Sequence, residues 1–304
     1  MKMNRVKKLT KRKFYNGQDY ILDERKQTIK LTTNFHNTLL NSLGTFNGFK
    51  KFGGSSIGNV LETDSFKSHF QAFCFMSRLS MPVLQTKYID AGVAIEPKVF
   101  ELMQNKFNEM HQKDIKRGKV SADSQPTKVI HIEAANVGYD YFKGKHDILG
   151  GVPDGLIPSK NIVVEVKTVQ EKKKVDWDAP NNKVPLDYKK QAQLYAYLLG
   201  YDKYMIAAAF LKEEDYADPE NFPINERYFA TYPFKVDKKM AEDDANTIIE
   251  FWKRYSQLGE SPKYNLTKDR DLVDYLRCHN EAEWKELFDR WKSLGKVDED
   301  YEFN

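Results

Sequence analysis

Asp154, Glu165 and Lys167 are the residues of this chain whose types and spacing most readily do chemistry. They belong to the segment from Val152 to Lys167, which reads as two short strands joined by a Pro-Ser-Lys-Asn turn. Residues two apart on a strand share a face, so Glu165 and Lys167 project together, and a hairpin brings Asp154 across to meet them. Two carboxylates and an ammonium converging at the end of an apolar strand suffer desolvation and repulsion. A divalent metal resolves that cost: the carboxylates bind it and the lysine handles the water it activates. Charged residues on an edge strand and an ordinary Asp-Gly turn would give the same letters without chemistry. The rest of the chain decides between the two.

A mixed set of elements must position these residues. The pattern predicts helices over Leu31–Leu43, Ser55–Leu61, Phe66–Leu79 and about Asp90–Met110, with a Gly- and Lys-rich loop from Gly44 to Gly54. The polar stretch Gln112–Thr127 reads as a mobile loop. Strands are expected over Lys128–Ala134, Asn136–Lys143, His146–Ile157 and Ile162–Val169, then a loop over Gln170–Pro185. Asp187 suits the cap of a helix running to Leu199, with Gly200 as its stop. Tyr204–Leu211 and Glu226–Pro233 read as strands, and Asp237–Leu258 and Glu281–Leu294 as closing helices. That order gives an α/β fold with a mostly antiparallel, mixed central sheet flanked by helices, and extra helices at both ends. The expected division is an N-terminal arm and appendage over 1–30, a main domain over 31–235, and a C-terminal helical extension over 236–304.

The chain has 304 residues, enough for a large core, and 19 Phe, 17 Tyr and 4 Trp to fill it. It shows no membrane-length apolar run and no signal-peptide core, which points to a cytoplasmic protein with no membrane partner. Cys74 and Cys278 stand far apart, against a disulfide framework, a zinc knuckle or an iron–sulfur cluster. Net charge is only +4, yet Lys2, Arg5, Lys7, Lys8, Lys11, Arg12 and Lys13 open the chain without an acid. Such an arm can track a phosphate backbone or simply be a solvated start. A second basic run, Lys172–Lys174, follows the hairpin, and the acidic end (Asp298, Glu299, Asp300, Glu302) reads as a frayed tail.

Tyr188, Gln191 and Tyr195 sit at i, i+3 and i+7 on the helix after the loop. Alone, such a stripe is ordinary core edge. Taken in order, however, Pro153-Asp154, then Glu165-Val166-Lys167, then a Gln-x-x-x-Tyr helix resembles the PD-(D/E)xK nuclease superfamily in its RecB-type arrangement. The closer resemblance is to the phage lambda-type exonucleases, the YqaJ-like viral recombinase family. Gly53-Gly54-Ser55-Ser56-Ile57 looks like that family's Gly-x-Ser segment, and Gly92 to Glu96-Pro97 is similar to its Gly-x-x-x-Glu-Pro helix. The matches keep family order over residues 50 to about 210.

The resemblance implies a restriction-endonuclease-like core and a magnesium-dependent DNA exonuclease acting from duplex ends, in a prokaryotic or phage-infected cell. Asp154, Glu165 and the carbonyl of Val166 would bind Mg²⁺, with Glu96 in the same cluster and Mn²⁺ able to substitute. Lys167 would position the water or help deprotonate it, Gln191 would orient either, and Tyr195 would pack behind. Ser55 would hold a phosphate, with Tyr188 nearby. Where the family has an arginine ahead of its Gly-x-Ser segment, this chain offers Lys50 and Lys51, which lack the guanidinium fork. Asp147 is the candidate for a further family acid. The product would carry a 5′-phosphate. The implied partner is DNA, with a single-strand annealing protein and a homo-oligomer allowed by the family. A restriction-like or structure-specific endonuclease, and an inactive DNA-binding scaffold, are the competing expectations.

Overall fold

A computed structural model describes residues 6–180 and 183–304; Lys2 and Arg5 of the basic start lie outside the described residues. In chain order the elements are strands β1 (Lys7–Lys8), β2 (Tyr20–Asp23) and β3 (Thr28–Leu31), then helices α1 (Thr33–Asn41), α2 (Ile57–Leu61), α3 (His69–Met76) and α4 (Lys87–Lys116). Strands β4 (Ile130–His131), β5 (Gly155–Ile157) and β6 (Ile162–Gln170) follow, with short α5 (Lys174–Trp177) and then α6 (Leu186–Leu199). Strands β7 (Lys203–Leu211) and β8 (Phe229–Lys235) complete the sheet, and α7 (Lys238–Leu258), α8 (Leu266–Arg277), α9 (Glu281–Ser293) and β9 (Tyr301–Glu302) close the chain.

The fold is the expected mixed α/β architecture, a central mixed sheet flanked by helices with further helices at both ends. Strand order is β4-β5-β6-β7-β8, antiparallel except for the β6–β7 pair. A parallel pair needs a crossover, and α6 supplies it. Alternation along β6 sorts its residues between two cores. Val163 and Val169 join α6 residues Ala192, Tyr195 and Ala196 on one face. Val164 and Val166 join α4 residues Ala91, Ile95, Val99 and Met103 on the other. Glu165 and Lys167 therefore share the α6 face. Beyond α6, a third core unites α1 and α3 with α7 to α9 and the N-terminal segment.

The ends of the chain depart from expectation. Residues 20–31 form the β2–β3 hairpin, and Arg12 is only 7% exposed, donating to the carbonyls of Phe14 and Tyr275 and to the Tyr20 hydroxyl. The acidic end is not frayed: β9 pairs in parallel with β1, and Asp298 accepts from the Thr86 backbone N–H. Complementary charge explains the β1–β9 pairing, since Lys7 reaches Asp90 and Asp300. Helix α8 was not foreseen. Its Asn265 cap accepts from the Thr267 N–H, while Val273, Tyr275 and Leu276 supply its buried side.

The expected strand over Asn136–Lys143 is a series of turns, and that over His146–Ile157 is a strand only at Gly155–Ile157. Asp140 holds this stretch as a loop by accepting from the N–H groups of Phe142 and Gly151 and pairing with Lys51. The expected loop from Gln112 begins as the last turn of α4, and His111 bonds the Ser124 carbonyl. Among the described residues no helix is long and apolar enough to cross a membrane.

Candidate active site

The hairpin forms as its sequence demands. Pro158 opens a single turn of 3₁₀ helix, Asn161 adopts the left-handed conformation that asparagine tolerates, and β5 then pairs β6 with Gly155 opposite Val164. That register sets Asp154 beside the charged end of β6, where its Oδ2 accepts from the Val166 N–H at 2.7 Å. Gly155 is required here: a Cβ would fall 2.3 Å from the ring of Phe100 on α4 and 2.5 Å from the Ile130 carbonyl.

Glu165 is the centre of the cluster. It is 1% exposed. Its Oε1 accepts from Lys167 Nζ at 2.9 Å and from the Gln191 amide. Its Oε2 is buried without any hydrogen-bond partner. A carboxylate oxygen left bare in the interior is a large penalty unless a cation or proton meets it. The electrostatics agree. Burial, and then the charge of Glu165, push the Asp154 carboxyl well above the usual carboxylate range, with Lys167 opposing and Glu96 adding to the push. Burial also raises Glu165, against the pull of Lys167. Burial works against the Lys167 ammonium, but Glu165 and Asp154 outweigh it and raise its pKa above the ordinary lysine value.

Gln191 and Tyr195 lie on α6 directly above this cluster, both buried. Tyr195 stacks on Phe142, and hydrogen bonding from the backbone at Gly54 and Val152 reaches its oxygen. Tyr188 is half-buried with Lys167 Nζ 4.8 Å from its ring centre. The Gly53-Gly54-Ser55 segment reaches the site because Phe52 makes an isolated bridge to Leu149, donating to the Ile148 carbonyl and accepting from Gly150. Ser56 ties the turn by bonding both N–H and carbonyl of Gly53, which leaves Ser55 exposed. Gly151 has a φ of +107°, and a Cβ there would fall 2.4 Å from the Tyr195 hydroxyl. Gly151→Ala is expected to cost roughly 1–3 kcal/mol, read as a lower melting temperature, and to displace the loop that carries Asp154.

Lys51 is engaged elsewhere, at 2.9 Å from Asp140 and against the His146 carbonyl. Lys50 faces Phe75, away from the cluster's own contacts. Glu96 comes from α4 and meets His131 of β4, Oε1 to Nε2 at 2.8 Å. His131 is the residue that sequence reasoning missed. It pairs with Gly155, next to Asp154, and stacks on Phe100 at 4.6 Å. A lone histidine in a two-residue strand gives no signal until the register is known.

Among the described residues no three His, Cys, Asp or Glu side chains form a ready-made metal cage. Two acidic residues with a bare buried oxygen nonetheless fit a hard, oxygen-seeking cation that keeps some of its waters, as magnesium does.

No protein-family model matches the chain. It is 27% identical to an uncharacterized protein of Mycoplasma genitalium, over 71% of this chain and 84% of that protein. It is 25% identical to a homologous uncharacterized protein of Mycoplasma pneumoniae, with the same shares covered. Among solved structures, it is similar to a phage-related exonuclease from Haemophilus somnus at 15% identity and a TM-score of 0.45, covering 69% of this chain and 95% of that one. It is also similar to an alkaline exonuclease from Laribacter hongkongensis at 13% identity and a TM-score of 0.44, covering 86% and 100%. What the chain does follows from its side chains, not from similarities this remote.

Proposed function

We propose that the chain is a magnesium-dependent deoxyribonuclease that hydrolyses phosphodiester bonds from the ends of duplex DNA, with manganese able to substitute. The observation that carries this reading is the buried, unpartnered Oε2 of Glu165 beside Asp154. Asp154, Glu165 and the Val166 carbonyl would hold the ion, with Glu96 joining the same cluster. When bound, it would lower the pKa of a water and stabilise charge on the scissile phosphate.

The chain's own residues do the rest. Lys167 is held as an ammonium by its carboxylate neighbours, which suits positioning a water or a phosphate oxygen better than removing a proton. Gln191 fixes the Glu165 carboxylate and so fixes Lys167 with it. Tyr195 and Tyr188 would wall the site, and exposed Ser55 would be free to hold a phosphate. The exposed Lys172 and Lys173, directly after β6, supply positive charge for the DNA backbone.

His131 positions Glu96 through its hydrogen bond. His131→Phe, which keeps the stack on Phe100, is expected to lower magnesium affinity or cleavage by about 10–100-fold, the usual cost of removing a group that orients a ligand. A magnesium titration of cleavage rate checks this.

Linear and covalently closed circular duplex DNA test the activity. Degradation of the linear form alone, in magnesium, is the expected result. Cleavage of the circle at the same rate would move the assignment to an endonuclease. Failure to cut either in magnesium or manganese would sink the nuclease reading.

A further inference from the structure

A cavity of about 450 Å³ opens where residues 10–14, the 46–50 loop, the Arg78–Pro82 turn and the end of α8 meet. It is lined by Lys11, Arg12, Lys13, Lys50 and Arg78 and, among the described residues, by no Asp or Glu. None of Glu96, Asp154, Glu165, Lys167 or Gln191 lines it, so it is separate from the candidate active site.

Its cations are not neutralised from within. Arg12 is buried, yet it donates to two carbonyls and a tyrosine hydroxyl, has no carboxylate partner among the described residues, and stacks on Tyr275 at 3.8 Å. Arg78 donates only to the carbonyls of Gly48 and Thr45. Half-buried Lys50 has the Phe75 ring 4.9 Å away, while its backbone is fixed by Met76 and Trp252. Among these groups Lys11 alone leans on a carboxylate, Glu281, at 3.8 Å. Gathering cations in one partly dry cavity costs free energy that an anion recovers. The strain shows at Lys50: burial, and then the Arg78 charge, pull its ammonium below the usual lysine value.

The walls are aromatic. Phe14 and Phe35 lie 4.4 Å apart, and Phe46, 85% exposed, stands on the loop whose carbonyls hold Arg78. A bare inorganic anion has no use for such walls, whereas a planar base stacks on them. The volume suits one small ligand. We propose that this cavity is a nucleotide-binding site, taking the phosphate on Lys50, Arg78 and Lys13 and the base against Phe14, Phe35 and Phe46. The same chemistry is offered by a free mononucleotide and by one nucleotide of a single strand.

Calorimetric titration of the full, metal-free chain in chelator tests this independently of the proposed nuclease activity. The probes are a deoxynucleoside 5′-monophosphate, the matching nucleoside, inorganic phosphate and a short single-stranded oligodeoxynucleotide. The monophosphate is expected to bind at least about tenfold more tightly than nucleoside or phosphate. Lys50→Met, which keeps the stem against Phe75, and Lys13→Gln, whose exposed position leaves folding untouched, should each weaken it by about tenfold. Asp154→Asn should leave it unchanged. Tighter binding of the oligonucleotide assigns the ligand to a strand, tighter binding of the monophosphate assigns it to the free nucleotide, and either upholds the site. Phosphate binding as tightly as the monophosphate, no binding of any nucleotide, or affinities unmoved in both lysine variants would overturn it.

Discussion

Lys167→Met is expected to lower magnesium-dependent cleavage of linear duplex DNA by roughly a hundredfold to ten-thousandfold while leaving the protein folded. Methionine keeps the length and apolar stem of the side chain, which is 19% exposed, and removes only the ammonium. Among the described residues that ammonium is the one cation bonded to Glu165, and Asp154 and Glu165 together hold it charged. Its loss would remove the group that places the water and would leave the two acidic residues to repel each other. The variant should therefore also bind magnesium no less tightly than wild type, because the ion takes over the charge that lysine supplied. Single-turnover cleavage and magnesium titration on the same preparation separate these effects. A variant that cleaves as fast as wild type would remove Lys167 from the chemistry.

The second large effect concerns stability. Metal-free Asp154→Asn is expected to melt a few degrees above metal-free wild type, although it should no longer cleave DNA. The reason is the direction of the carboxyl shifts. Asp154 and Glu165 are both raised, through burial first, in the folded chain. A carboxyl raised on folding binds more protons in the folded state than in the unfolded one. Its contribution to stability is full below the ordinary carboxylate value of about 4 and is lost as pH rises through the elevated folded values. Near neutral pH the wild-type site is thus under strain, which asparagine relieves. Magnesium reverses the sign, since it needs both carboxylates ionised and its binding releases protons. The rise in wild-type melting temperature caused by magnesium should grow as pH rises through the elevated carboxyl values, and should be nearly absent in Asp154→Asn. A variant less stable than wild type without metal, with an equal response to magnesium, would contradict this.

The parts of the site that were legible in the sequence are those whose signals are local. The apolar run Ile162–Val164 reads as a strand, so the charges of Glu165 and Lys167 that follow it stood out, and the structure buries Val163 and Val164 completely. Gly200 marks the stop of α6, which runs from Leu186 to Leu199, whereas Asp187 is not its cap: it lies inside the first turn and Pro185 opens the helix. The hairpin between Asp154 and Glu165 was legible because Pro158 and Asn161 mark its turn.

What was not legible depends on contacts between distant segments. Lys7 and Lys8 look like a free basic arm until Tyr301 and Glu302 pair with them. Lys51 looks like a phosphate ligand until Asp140, on a loop far along the chain, takes its ammonium. His131 gains meaning only from its register beside Gly155 and its bond to Glu96. The strand expected over Asn136–Lys143 failed because Asp140 bonds the local backbone N–H groups more readily than a neighbouring strand could.

The central claim is that Glu165 and Asp154 form a metal-dependent phosphodiesterase site. End-labelled linear duplex DNA, incubated with wild type and with Glu165→Gln in magnesium and in chelator, tests it most directly. The expected result is release of labelled product by wild type only when magnesium is present, and none above background by Glu165→Gln. Equal release by Glu165→Gln, or release by wild type undiminished in chelator, would contradict it.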